Sequence, residues 1–145
     1  MIELPVKNME TGEYFRAGDR AELANDGVDR TIDLAPFVGT WINTMRDTQG
    51  FAKLIVSNRD GKLFVQAFAA AAPDLCDWGE VEAHPFADRV DSRKGAGFAA
   101  HYDTGSSEVV FQANMNLGLL VVLTFNRFKD GSSRANYINR EFFHR

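Results

Sequence analysis

The sequence predicts an all-β protein, an eight-stranded antiparallel up-and-down barrel preceded by an N-terminal arm. From Phe37 onward, apolar and polar side chains alternate or form short apolar runs, as is typical of strands. Short turn sequences such as Asp60-Gly61 separate these segments and permit the positive φ that tight hairpins require. Eight consecutive strands joined in this way can close on themselves and remove exposed edges, and a half-open roll or sandwich is the alternative.

Eight segments carry the strand pattern, in chain order. They are Val38–Thr44, Phe51–Ser57, Lys62–Ala70, Glu80–His84, Gly97–Asp103, Glu108–Asn114, Leu119–Phe128 and Asn136–Phe143. A longer loop with Pro73 precedes the fourth segment, and the polar loop Asp88–Lys94 leads to the fifth. Glycine-containing turns join most of the others.

The chain divides at residue 36. Residues 1–36 carry many charges and two glycine-containing breaks, and they lack sustained alternation, so we expect an arm or plug. Within this arm, Arg20–Ala24 fits a short helix with Asp19 as its N-cap and Asn25-Asp26-Gly27 as its end. Residues 37–145 are expected to form the barrel domain.

Composition narrows the classes of partner. The 145 residues carry a net charge of −4 with acids and bases interspersed, so we expect no nucleic-acid partner. No apolar run approaches the roughly 20 residues that span a bilayer, so we expect no membrane partner. One cysteine, Cys76, and the absence of a secretion signal pattern at the N-terminus favour a cytoplasmic location.

Catalytic and metal-binding patterns are weak in this sequence. His84, His101 and His144 fall on three different strands without the close spacing of metal ligands, so no metal and no cofactor are expected. There is no glycine-rich phosphate loop and no nucleophile elbow. His101, Tyr102 and Glu141 remain the candidates for acid–base chemistry if the protein is an enzyme.

The run Gly39-Thr40-Trp41-Ile42-Asn43 at the head of this meander resembles the start of lipocalins and avidin-like proteins, both calycin-type barrels. The lipocalin resemblance implies that Trp41 closes one end of the barrel, with Arg140 of the last strand stacked across it. The avidin resemblance covers about a third of the chain and places Asn43 where avidins have a ligand-binding asparagine. Ala67 and Ala69 replace the inward tyrosine and serine of avidins, which argues against biotin as the ligand.

A second resemblance involves the segment Cys76-Asp77-Trp78-Gly79-Glu80 and the ending between Thr124 and Phe143. Both are similar to a group of short bacterial proteins with no assigned activity. Members of that group carry a further cysteine before this segment, where this chain has Ala70-Ala71-Ala72. This departure puts a shared redox or metal role in doubt.

The avidin-like parity leads to a prediction of function. It turns small third-strand side chains inward, which leaves a space that aromatic neighbours line, unless Phe64 and Phe68 point inward and fill it. We predict that the barrel binds a small apolar or partly aromatic molecule. The alternatives are a barrel enzyme (isomerase, cyclase or dehydratase) and an assembly module with a filled interior. The expected lining is Asn43 as polar anchor, Leu63, Val65, Ala67, Ala69, Trp78, Phe98, Tyr102 and Tyr137.

A homodimer is the expected oligomeric state. If Leu119, Val121 and Leu123 face inward with Val109 and Phe111, an apolar outer patch remains that a second copy or the N-terminal arm would cover. That patch would consist of Val110, Leu120 and Val122.

Overall fold

The computed structural model describes residues 31–145, in which eight strands form one closed barrel. The strands are β1 (Gly39–Asn43), β2 (Phe51–Arg59), β3 (Lys62–Ala69), β4 (Cys76–Ala87), β5 (Gly95–Asp103), β6 (Ser107–Asn116), β7 (Leu119–Phe128) and β8 (Tyr137–His144). Each strand pairs antiparallel with the next, and β8 pairs with β1. The predicted antiparallel barrel is therefore confirmed, in a form compatible with a calycin-type fold. The expected helix at residues 20–24 lies outside the described residues.

No helix between residues 31 and 145 is long and apolar enough to cross a bilayer.

The ladder that closes the barrel is its shortest. β1 and β8 share two residue pairs, Ile42 with His144 and Asn43 with Phe143. One further bond runs from the Thr44 N–H to the Phe142 carbonyl at 2.8 Å. β1 ends here because the Asn43 side-chain oxygen accepts the Met45 N–H at 2.8 Å, and this turn directs the chain away from β8.

The two ends of the barrel differ. One end, which we call the floor, carries the tight turn at Asp60-Gly61 and the packed residues Leu34 and Phe37. The Phe37 ring lies edge-on to Phe98, with 5.4 Å between ring centroids. The other end, which we call the mouth, carries the loops 44–50, 70–75, 104–106 and 129–136. The described part of the predicted arm, residues 31–36, thus lies against the floor.

Trp41 is fully buried near the floor, but its cationic partner is not the predicted one. The indole N–H donates to the Phe37 carbonyl at 2.9 Å, and the guanidinium of Arg145 lies 4.5 Å from the ring centroid. Arg140 lies instead over the outward ring of Phe142, at 5.1 Å. The predicted stacking of Arg140 on Trp41 is wrong because the alternation that turns Phe143 into the core turns Arg140 outward.

The predicted facing of β7 is also wrong. Leu120 and Val122 are buried in the core, whereas Leu119 and Leu123 lie on the outer wall. In five consecutive apolar residues there is no alternation to indicate which side chains face the core. The facing is fixed by register, since Val122 pairs with Ala113 on the inner face of β6.

Candidate functional site

The inner face of β3 is the one predicted. Leu63, Val65 and Ala67 are buried and Ala69 is half-buried. Phe64 and Phe68 lie outside, beneath the cations of Arg59 at 3.9 Å and Lys53 at 4.4 Å. The alternative in which these two phenylalanines fill the barrel is therefore wrong.

Aromatic rings from other strands nevertheless occupy the space beside the small β3 side chains. Phe51 lies edge-on to Trp78 at 5.1 Å, and Trp78 lies edge-on to Tyr102 at 5.6 Å. Phe111 lies 6.0 Å from Phe51 and 6.1 Å from Phe98, measured between ring centroids. The structure thus brings most of the predicted lining together in a packed core that is rich in aromatic rings.

The Tyr102 hydroxyl is fully engaged in this core. It accepts the Ala67 N–H at 3.0 Å and lies within hydrogen-bond distance of the carbonyl oxygens of Gly79 (2.9 Å) and Val65 (3.2 Å). Ala67 needs this acceptor because the β3–β4 ladder shifts register between Gln66 and Phe68. Burial raises the pKa of Tyr102 to about 12, so the phenol stays protonated at neutral pH. Its contacts make it structural.

Polar side chains cluster at the mouth, where β1 and β8 part. Glu141 Oε2 accepts a hydrogen bond from Asn43 Nδ2 at 2.6 Å and a short one from the Thr48 hydroxyl, and Oε1 accepts one from Asn139 Nδ2 at 2.7 Å. We call these four residues the mouth cluster. A Cβ at Gly50 would collide with Glu141 Oε1 and crowd Asn139 Nδ2, so any larger residue there would require these side chains to shift.

The predicted polar anchor, Asn43, is already saturated within the mouth cluster. Its amide donates to Glu141 and to the Phe51 carbonyl at 2.9 Å, and its oxygen accepts from Met45. The cluster therefore fastens the loop 44–50 to β8. Tyr137, also predicted as a lining residue, lies exposed at the rim of an adjacent depression of about 200 Å³.

A larger concavity lies on the outer wall, across β6, β7 and β8. The bottom of this concavity is a cross-strand apolar row, in which Val110 pairs with Phe125 and Phe125 pairs with Ile138. These side chains are 42%, 40% and 63% exposed, respectively. We call this concavity of about 650 Å³ the outer groove. Its polar rim consists of His101, Glu108, Asn126, Arg127, Asn136 and Tyr137.

One side of the outer groove carries a fixed charge network. The Glu108 carboxylate accepts a hydrogen bond from the Arg127 guanidinium, and its other oxygen lies 3.2 Å from His101 Nε2. The hydrogen bond from Arg127 is the main reason that the pKa of Glu108 is lowered, so this carboxylate is ionised at neutral pH. Sequence reasoning missed the groove because its apolar row forms only through the register of three strands.

The remaining polar candidates do not converge. His84 and His144 are exposed on other strands, and Cys76 is an exposed free thiol at the start of β4. Within residues 31–145, no three histidine, cysteine, aspartate or glutamate side chains are placed to hold a metal ion.

Comparisons with protein-family models, with curated proteins and with solved structures found no match for this chain.

Proposed function

We propose that the protein binds a small, partly aromatic molecule in the outer groove. The observation that carries this proposal is the exposed apolar row of Val110, Phe125 and Ile138, which lies at the bottom of a concavity of about 650 Å³. Adjacent large apolar side chains are seldom left in water unless they serve a binding surface. Ligand sites commonly enclose about 300–1,000 Å³.

The polar rim suggests which ligand chemistry fits. The side-chain oxygen of Asn136 accepts the Phe128 N–H at 2.9 Å, which leaves its amide N–H groups without a protein acceptor among the described residues. Asn126 is different, since its amide is bonded to the Thr124 hydroxyl at 3.0 Å. A flat ring lying on Phe125 would cover the apolar row, and a carbonyl or hydroxyl oxygen of the ligand would accept a hydrogen bond from the Asn136 amide.

A fluorescent probe tests this proposal. Anilinonaphthalene sulfonate combines flat aromatic rings with an acceptor group and brightens when it is bound in an apolar site. Phe125→Ser should weaken binding of the dye at least about tenfold, because the substitution removes the central ring of the apolar row. The near-ultraviolet circular dichroism of buried Trp41 would verify that the variant is folded.

Leu117→Asn is the matched control. Leu117 is 98% exposed in the β6–β7 turn, far from the groove, and its φ of 52° suits asparagine. This variant should bind the dye as the unaltered protein does. Equal losses in both variants, or no loss in Phe125→Ser, would show that the groove is not the binding site.

The packed interior supports a second candidate, an assembly module that dimerises through the same wall. A two-fold axis over Phe125 would bury the apolar row of both copies at once. Light scattering at low micromolar concentration would then give the mass of a dimer for the unaltered protein and of a monomer for Val110→Lys. A monomer in both samples would exclude this candidate and leave ligand binding.

A further inference from the structure

Part of the edge of β8 has no strand partner. β1 reaches only Phe143 and His144, followed by the single bond from Thr44 to the Phe142 carbonyl. In an antiparallel strand the N–H and C=O of every second residue point to the same side. The backbone groups of Ile138 and Arg140 therefore point to the side of β8 that β1 has left, and no backbone partner meets them among the described residues.

A depression lies beside this edge, in the line that β1 would follow if it were longer. The turn at Asn43 and Met45 takes the chain away just where β1 would otherwise continue along β8. What remains is the depression of about 200 Å³ between the loop residues Met45 and Gln49 and the β8 residues Asn139 and Arg140. A closed barrel normally removes such edges, so this short stretch is a local exception.

We propose that this edge binds an extended peptide segment of a partner protein, which pairs antiparallel with β8 and prolongs the line of β1. Unpaired backbone donors and acceptors on a strand edge select an extended chain, and neighbouring side chains select its sequence. This inference does not rest on ligand binding in the outer groove, because the unpaired backbone edge carries it, although Ile138 belongs to both surfaces.

Charge complementarity indicates the chemistry of the peptide. Ile138 is exposed on the outer face, and the exposed guanidinium of Arg140 has no acidic partner within residues 31–145. Two peptide residues on that face would lie beside them, so an apolar side chain and an acidic one, two positions apart, fit best. A second copy fits less well, because pairing of two β8 edges brings like-charged Arg140 side chains close together.

Amide hydrogen exchange followed by NMR tests the proposal on the full chain. The probe is a capped peptide in which one valine and one glutamate stand two positions apart, with threonine at the positions between and beside them. In the free protein the Ile138 and Arg140 amides should exchange rapidly, and the peptide at millimolar concentration should slow both at least about tenfold. The same peptide with N-methylated backbone amides should give no protection, since it cannot pair with the edge.

Charge reversal supplies the matched variant. Arg140→Glu should lose protection by the glutamate peptide and gain it from the corresponding lysine peptide, whereas Phe125→Ser should leave protection unchanged. Three results would overturn the proposal: amides already protected in the free protein at every concentration, protection that grows with protein concentration alone, or no effect of the peptide. The first would mean that the chain covers its own edge, and the second that another copy does.

Discussion

At the scale of single residues, the buried hydroxyl of Tyr102 takes the place of a lost ladder partner. Ala67 lies at the register shift between β3 and β4, and its N–H is bonded to this hydroxyl. The identity of Tyr102 as an inward aromatic residue follows from alternation in the sequence. Its bond to Ala67 does not, because Ala67 lies on a strand that is not adjacent to β5.

Tyr102 should make the folded state sensitive to alkaline pH. Its pKa is about 12 in the folded protein and ordinarily about 10, so the folded state retains the proton longer than the unfolded one. The stabilisation is thus complete below pH 10 and is lost as pH rises towards 12, by roughly 3 kcal/mol in total. Urea unfolding from pH 9 to pH 12 would show this decline. Tyr102→Phe should lack the part due to this phenol and be less stable at pH 8, because the Ala67 N–H loses its acceptor.

Ala67→Phe should destabilise the fold and not merely fill an open space. The Tyr102 hydroxyl already lies 3.0 Å from the Ala67 nitrogen, so a second ring would overpack the core and cost about 1–3 kcal/mol. Gln66→Phe adds the same ring one residue earlier, on the outer face, and should be tolerated. Thermal melts of both variants give the comparison, and a stable Ala67→Phe protein would mean that the core has unfilled volume.

At the scale of strands, the mouth cluster reinforces the ladder that pairing leaves shortest. The Glu141 carboxylate joins β8 to Asn43 at the end of β1 and to Thr48 in the following loop. The cluster thus takes over where backbone bonds between β1 and β8 stop.

Glu141→Ala should therefore cost about 2–4 kcal/mol, because three buried or half-buried donors lose their acceptor. Glu141→Gln keeps the shape but replaces one acceptor by a donor, so its cost should be smaller. Glu82→Ala on the exposed face of β4 is the control and should change the free energy of unfolding by less than about 0.5 kcal/mol. Urea titrations of the three variants measure the order, and equal stability of Glu141→Ala and Glu82→Ala would contradict it.

The sequence predicts that all eight strands exist, but it predicts their first and last residues less accurately. β4 begins at Cys76, four residues before the predicted start at Glu80. Gly79 has the signature of a break, yet the Asp77 carboxylate accepts its N–H at 2.8 Å and the strand continues through a φ of 82°. Local side-chain bonds of this kind are not encoded in alternation.

At the scale of the whole molecule, the unpredicted features are those that combine several strands. The small side chains of β3 face the interior, as the sequence predicts, but the volume left beside them depends on rings from β2, β4, β5 and β6. The outer groove likewise requires the register of Val110, Phe125 and Ile138 across three strands. One strand read by itself reports which side a residue faces, and only the assembled barrel determines what it faces.

The two-pair ladder between β1 and β8 also bears on the order in which the chain folds. Every other ladder joins neighbours along the sequence, whereas Ile42 and His144 lie about a hundred residues apart, and such distant contacts form slowly. Hairpins from β2 to β8 can assemble before this closure, which then belongs on the native side of the folding barrier. Stopped-flow kinetics of Ile42→Ala should accordingly show faster unfolding with an unchanged refolding rate. The last backbone bonds to form would then determine the lifetime of the closed barrel.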